Sequence, residues 1–181
     1  MVVLAALFAA GNSPADVPGE GVPTATVNRR GETLVVDVDL TVGVSPRVAW
    51  EVLTDFPHMP DFLPGVESSD SQLQSEGIYF VRQTGRARYG PFSRSYDSSR
   101  LIELHPYHRI DSRGLTGDLS TLRGSMVLTP VGTGVHLHYH AEAEPGTWLP
   151  PVIGTAAVRH DTETRFTAFV DEMRRRAAVA R

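Results

Sequence analysis

Val48-Ala-Trp-Glu-Val-Leu-Thr-Asp-Phe-Pro-His-Met-Pro-Asp-Phe-Leu-Pro-Gly65 is the stretch on which the fold turns. Val48, Val52 and Phe56 recur at helical spacing, with Trp50 and Leu53 flanking them. Pro57 stops that helix. Ser45 is a favoured cap for its start and Pro46 a favoured first residue. A short proline-bounded turn of helix carrying Phe62 and Leu63 follows. Upstream, Leu34, Val36, Val38, Leu40 and Val42 alternate with Asp37, Asp39 and Thr41, which marks a strand with one wet face.

Downstream of Val66 come short segments punctuated by turns. Ile78 to Tyr89, Phe92 to Leu104, Tyr107 to Leu115, Leu119 to Thr129 and Val135 to Glu144 are separated by Gly90-Pro91, His105-Pro106, Gly117-Asp118 and Val131-Gly-Thr-Gly134. That spacing predicts an antiparallel meander. Gly146-Thr-Trp-Leu-Pro-Pro151 is a rigid connection into the longest helical pattern, Val152 to about Arg176. Its apolar side reads Ile153, Ala156, Ala157, His160, Phe166, Phe169, Val170 and Met173, and Arg174 to Arg176 suit the negative pole of the helix dipole. Strand, two short helices, about six more strands and a long helix predict an α+β chain. In it a curved antiparallel sheet of about seven strands wraps around the C-terminal helix, with a cavity between them.

Composition narrows the chemistry. The 181 residues carry a net charge of −4, which argues against a nucleic-acid binder. There is no cysteine, so disulfides, thiolate catalysis and cysteine-held metals are excluded. All 17 cationic side chains are arginine, which rules out Schiff-base chemistry and a P-loop phosphate site. Arginines concentrate between Arg82 and Arg123; they are either a solvated outer face or a mouth that attracts an anionic head group. Met1 to Ala10 is apolar and followed by small residues, like a secretion signal that lacks the usual positive leader, or else a disordered apolar tail. Asn12 to Thr24 reads as a Pro/Gly linker. The expected organisation is a signal-like segment and linker over residues 1–24 and one ligand-binding domain over 25–181.

The run from Val44 to Val66 resembles the opening of the START-like (SRPBCC) superfamily. More narrowly it is similar to the polyketide cyclase/dehydrase and lipid-transport branch, which includes the coenzyme Q-binding proteins. Gly117 to Gly124 with the strand ending Leu128-Thr-Pro130 resembles that branch's penultimate strand. Pro145 to Pro151 and the helix ending Glu172 to Ala177 resemble exported bacterial members. The resemblance covers roughly Thr26 to Ala177 and implies the helix-grip fold with a hydrophobic ligand, such as a lipid, a quinone or a polycyclic aromatic. Met126 departs from the tryptophan expected there and leaves more room in the pocket.

Phe62, Gln83, Tyr96, Ser112, Leu122, Met126, Tyr139, His160 and Phe166 are the candidate cavity-wall residues. His160 falls on the helix's apolar stripe, so it is either a core histidine or a ligand-bonding one. Tyr79 is a core aromatic or a pocket phenol, and Arg94 is assigned to the surface. His136, His138 and His140 share one strand face with Glu142 and Glu144, opposite Val135, Leu137 and Tyr139. That face should be convex and wet, so no metal site is assigned to it. No catalytic residue and no cofactor are assigned. The expected activity is sequestration of a hydrophobic small molecule, gated by Pro57–Gly65 and loops near Gly90 and Trp148, with a transient membrane contact. The rival is a cyclase or dehydratase using an inward cluster of titratable groups.

Overall fold

The computed structural model describes residues 21–89, 92–117, 120–144 and 154–179. Met1 to Ala10, most of the linker, Gly90-Pro91, Trp148 with its flanking residues and the Arg94 side chain lie outside that description. The chain runs β1 (Ala25–Arg30), β2 (Thr33–Val42), α1 (Pro46–Leu53), a 3-10 turn (Phe56–His58), α2 (Met59–Phe62), β3 (Val66–Ser75) and β4 (Ile78–Tyr89). It continues through β5 (Phe92–His105), β6 (Arg109–Gly117), β7 (Arg123–Val131), β8 (Gly134–Ala143) and α3 (Thr155–Val179).

The strands form one sheet in the order β1-β2-β8-β7-β6-β5-β4-β3, with antiparallel neighbours throughout. This is the helix-grip arrangement, with one strand more than the sequence suggests. The addition is β1, whose short run Ala25-Thr-Val-Asn-Arg-Arg30 pairs with β2 at Val27↔Val36. Its first amide donates to Glu163 Oε1 on α3 at 3.1 Å, which ties the sheet edge to the long helix.

Helix α1 begins as its sequence dictates. The Ser45 hydroxyl accepts from the Val48 amide, and Pro46 sits in the first turn, where its missing N–H costs nothing. The helix ends at Leu53, one turn before Pro57. The Thr54 hydroxyl donates to the Trp50 carbonyl at 2.8 Å and closes the last turn. Phe56 then enters the separate 3-10 turn and still reaches the core.

Helix α3 has two unlike halves, and the difference creates the cavity. In the second half Val170 and Met173 are buried in one apolar cluster with Val42, Trp50, Leu128, Val135 and Leu137. In the first half the residues facing the sheet include Asp161, Thr162 and Arg165 beside Val158. Polar groups there would have to shed water to pack, so this half touches the edge strand β1 through Glu163 but stands off from the middle of the sheet.

Buried Glu172 fastens the packed end. It accepts from Arg175 (2.6 and 2.7 Å) and from Arg176 (2.6 Å), and Arg176 also reaches Asp55 at 2.7 Å. Its pKa is lowered from 4.5 to about 2, first by the Arg175 hydrogen bonds and then, against the cost of burial, by Arg176. A carboxylate with a depressed folded pKa stabilises above its unfolded value, so this contribution vanishes as pH falls from 4.5 towards 2. Glu172→Gln is expected to lose on the order of 2 kcal/mol near neutral pH, discounted for the water around Arg175. Urea unfolding across that acid range should show a flatter pH dependence for the variant; parallel curves would refute the assignment.

Candidate ligand-binding cavity

Between the sheet and the first half of α3 lies a cavity of about 350 Å³. Alternation on each strand decides which side chains face it. Strand β2 supplies Leu34 and Val36, β8 supplies Tyr139, Ala141 and Ala143, β7 supplies Met126, and β6 supplies Ile110 and Ser112. The floor near α1 and α2 is Leu53, Phe56, Met59 and Leu63. The wall is therefore mostly aliphatic and aromatic. The Pro57–Gly65 segment contributes through Met59 and Leu63.

Seven of the nine residues singled out from the sequence line this space: Gln83, Tyr96, Ser112, Leu122, Met126, Tyr139 and Phe166. Phe62 does not. Its ring packs edge-on to Phe169 with centroids 5.8 Å apart, under the Arg176 guanidinium at 5.9 Å, behind the lining. His160 is exposed and is corrected from wall to surface. Small Ala156 and Ala157 blurred the phase of the first half of α3. Its inward positions are Val158, Asp161, Thr162 and Arg165, and His160 falls between them on the outer side. Tyr79 is a core aromatic, with its ring 6.1 Å from that of Phe56.

The histidines of β8 face away from the cavity. His138 Nδ1 lies 2.8 Å and His136 Nε2 3.2 Å from Asp39 Oδ1, and His140 Nδ1 lies 2.6 Å from Asp37 Oδ1. These contacts follow the β2–β8 register, in which Asp37 opposes His140 and Asp39 opposes His138.

The sequence reading missed the polar equipment of the cavity. Tyr96, Ser98, Arg100 and Ile102 are successive inward residues of β5, and all four line the space. A register shift between Ser99 and Arg100, where β6 carries an extra residue, bends the pair at this point. Gln83, buried on β4, organises the group. Its amide nitrogen donates to Ser69 Oγ at 3.0 Å and approaches Met59 Sδ at 3.2 Å, while its oxygen accepts from Arg100 Nη2.

Arg165 is charge-compensated: its Nε donates to Asp161 at 2.9 Å. Burial pulls the pKa of Arg165 down, but Asp161 and then Tyr96 outweigh it, and the net direction is up. Among the described residues Arg100 has no such carboxylate. Burial lowers its pKa, Arg165 adds to that, and only the neighbouring Tyr139 and Tyr96 oppose. Burial likewise pushes the Tyr139 phenol up, so it stays protonated. The extra signal for Arg100 was present in the sequence, because strand alternation carries the inward face of Tyr96 on to Ser98 and Arg100.

Residues 33–178 match the family model described as polyketide cyclase / dehydrase and lipid transport. The chain belongs to this family. Solved structures share the fold of this family member. The Zhui aromatase/cyclase from Streptomyces sp. R1128 is similar with a TM-score of 0.64 and 20% identity over 80% of this chain and 95% of that one. The STAR-related lipid transfer protein from Xanthomonas axonopodis gives 0.60 and 14% over 83% and 99%. A START superfamily protein from Mycobacterium smegmatis gives 0.61 and 13% over 81% and 99%. At such identities the likeness to these structures is one of fold. No curated protein sequence matches the chain significantly.

Proposed function

We propose that this chain sequesters a hydrophobic small molecule, of the size of a lipid chain, a quinone or a polycyclic aromatic, in the cavity under α3. The observation that carries this reading is the space of about 350 Å³ with its largely apolar wall, left open because α3 turns polar groups towards the sheet in its first half. A ligand that moves about 200 Å² of apolar surface out of water gains roughly 5 kcal/mol before the cost of association. A carrier is favoured over an enzyme by what lines the space. Among the described lining residues there is no histidine, and the carboxylate, Asp161, is engaged by Arg165. The described lining therefore offers no unengaged histidine or carboxylate as a general base.

The second reading is a cyclase- or dehydratase-type enzyme acting on a polyketide-like substrate. It is favoured by Arg100 and the protonated Tyr139, a cation and a phenol that could polarise a substrate carbonyl. Native mass spectrometry of the chain purified without detergent separates the outcomes. A carrier should retain an apolar adduct, released unchanged by organic solvent; chemical conversion of the added compound would establish the enzyme instead. Protein that is empty and takes up no hydrophobic compound would sink both.

Our proposal includes export directed by the apolar Met1–Ala10 run, with transient contact to a membrane during loading. Fractionation of cells expressing the full chain, with sequencing of its mature N-terminus, tests the export.

A further inference from the structure

The described residues contain three buried side-chain polar atoms that make no well-formed hydrogen bond: Tyr96 Oη, Ser98 Oγ and Arg100 Nε. Of these, Tyr96 Oη lies close enough to Arg165 to act on its guanidinium, so Ser98 and Arg100 carry the argument. All three belong to alternate residues of β5 and all three residues line the cavity. At the strand rise such positions repeat about every 6.7 Å, so the row extends about 13 Å along one wall. Buried polar atoms are ordinarily satisfied, and orphans concentrated in one row call for a partner that the chain does not supply. Ser98 is 1% exposed, so its hydroxyl has no recourse to bulk water.

The row is chemically polarised. Arg100 is always charged at ordinary pH and offers donors only, while serine and tyrosine hydroxyls donate or accept. Arg165 has its carboxylate, Asp161, whereas among the described residues the groups acting on Arg100 are Tyr139, Arg165 and Tyr96, none of them an anion. Gln83 occupies one guanidinium nitrogen and leaves Nε free. An aliphatic chain or plain ring system would fill the apolar part and leave that cation buried and uncompensated.

We propose that the ligand is an anionic amphipath: an apolar ring system or chain bearing an acidic oxygen group that meets Arg100, with a further oxygen placed to hydrogen-bond Ser98 or Tyr96. This rests on the cavity reading above. An oxyanion on a guanidinium forms charge-assisted bonds, stronger than neutral ones. The neighbouring Arg165 reinforces the attraction for negative charge while Asp161 keeps it from dominating.

The test uses the full chain and two fluorescent probes with the same ring frame, neutral phenylnaphthylamine and anilinonaphthalene sulfonate, which adds one anionic group. The expected result is that both bind one to one and compete, with the sulfonate about tenfold or more tighter. Arg100→Met should bring the ratio close to one, and Arg100→Lys should keep part of the preference. Arg113→Gln, on the outward face of β6, should leave the ratio as it is. Circular dichroism on each variant shows that the fold persists, and the lysine variant carries the test if the methionine variant does not fold. Competing probes of equal affinity would overturn the anionic assignment and leave the cavity reading standing. Binding of the neutral probe alone would likewise overturn only the anionic assignment, and failure of both probes to bind would overturn both.

Discussion

Alanine at Gly85 is expected to destabilise the protein by about 3 kcal/mol or more, a cost in the range of severe overpacking. A Cβ built there lies 2.0 Å from the Gly65 carbonyl oxygen and 2.8 Å from the Tyr96 hydroxyl. Neither neighbour can yield cheaply. The Gly65 carbonyl accepts from the Arg86 amide at 2.7 Å, and Gly65 itself holds a left-handed φ of +77° in the turn between α2 and β3. Moving that turn would shift Leu63, which lines the cavity, and pushing Tyr96 aside would disturb the polar row of β5. Gly132→Ala is the control. Its φ is +57° but no atom lies within 4 Å of the added Cβ, so only the backbone penalty of about 1 kcal/mol is expected. Urea unfolding of both variants at unchanged m-value measures the difference. A Gly85→Ala protein as stable as Gly132→Ala would mean that the α2–β3 turn does not press on β4.

Much of the scaffold was legible because its signals are local. The alternation from Leu34 to Val42, the Ser45-Pro46 cap and the turn residues between later segments each act within a few residues. They place β2, α1 and the meander where the structure has them. The outward face of His136, His138 and His140 followed from the same alternation, although their aspartate neighbours depend on a β2–β8 register that no short window contains. Strand β1 was missed because an edge strand with one buried residue, Ala25, carries almost no periodic signal.

The cavity was harder for a physical reason. A void exists where the usual pattern of inward apolar residues is broken, and such breaks look like surface in a sequence. Asp161, Thr162 and Arg165 read as a polar helix face, yet they face the sheet. His160 read as part of the apolar stripe, yet it is exposed. Arg100 was one of many arginines until β4 brought Gln83 to its guanidinium. Wall residues of ordinary core type, such as Leu122, Met126 and Phe166, were accessible to pattern reasoning, because a lining and a core make the same demand for apolar surface.

Gln83→Leu is expected to cost about 3 kcal/mol, because it strips a buried guanidinium of its acceptor and the Ser69 hydroxyl of its donor at once. Arg100→Met should be close to neutral, within about 1 kcal/mol, since loss of an uncompensated buried charge offsets the orphaned Gln83 carbonyl. The two changes should be strongly coupled. In the Arg100→Met background the charge is gone, and Gln83→Leu should then cost only about 1 kcal/mol, a coupling near 2 kcal/mol. Denaturant unfolding of the four proteins completes the cycle. That pattern would mean that Arg100 is retained at no gain in stability to the ligand-free fold, as expected of a group kept for what it binds. Additive losses would place the guanidinium in contact with water, where an anion could not rely on it.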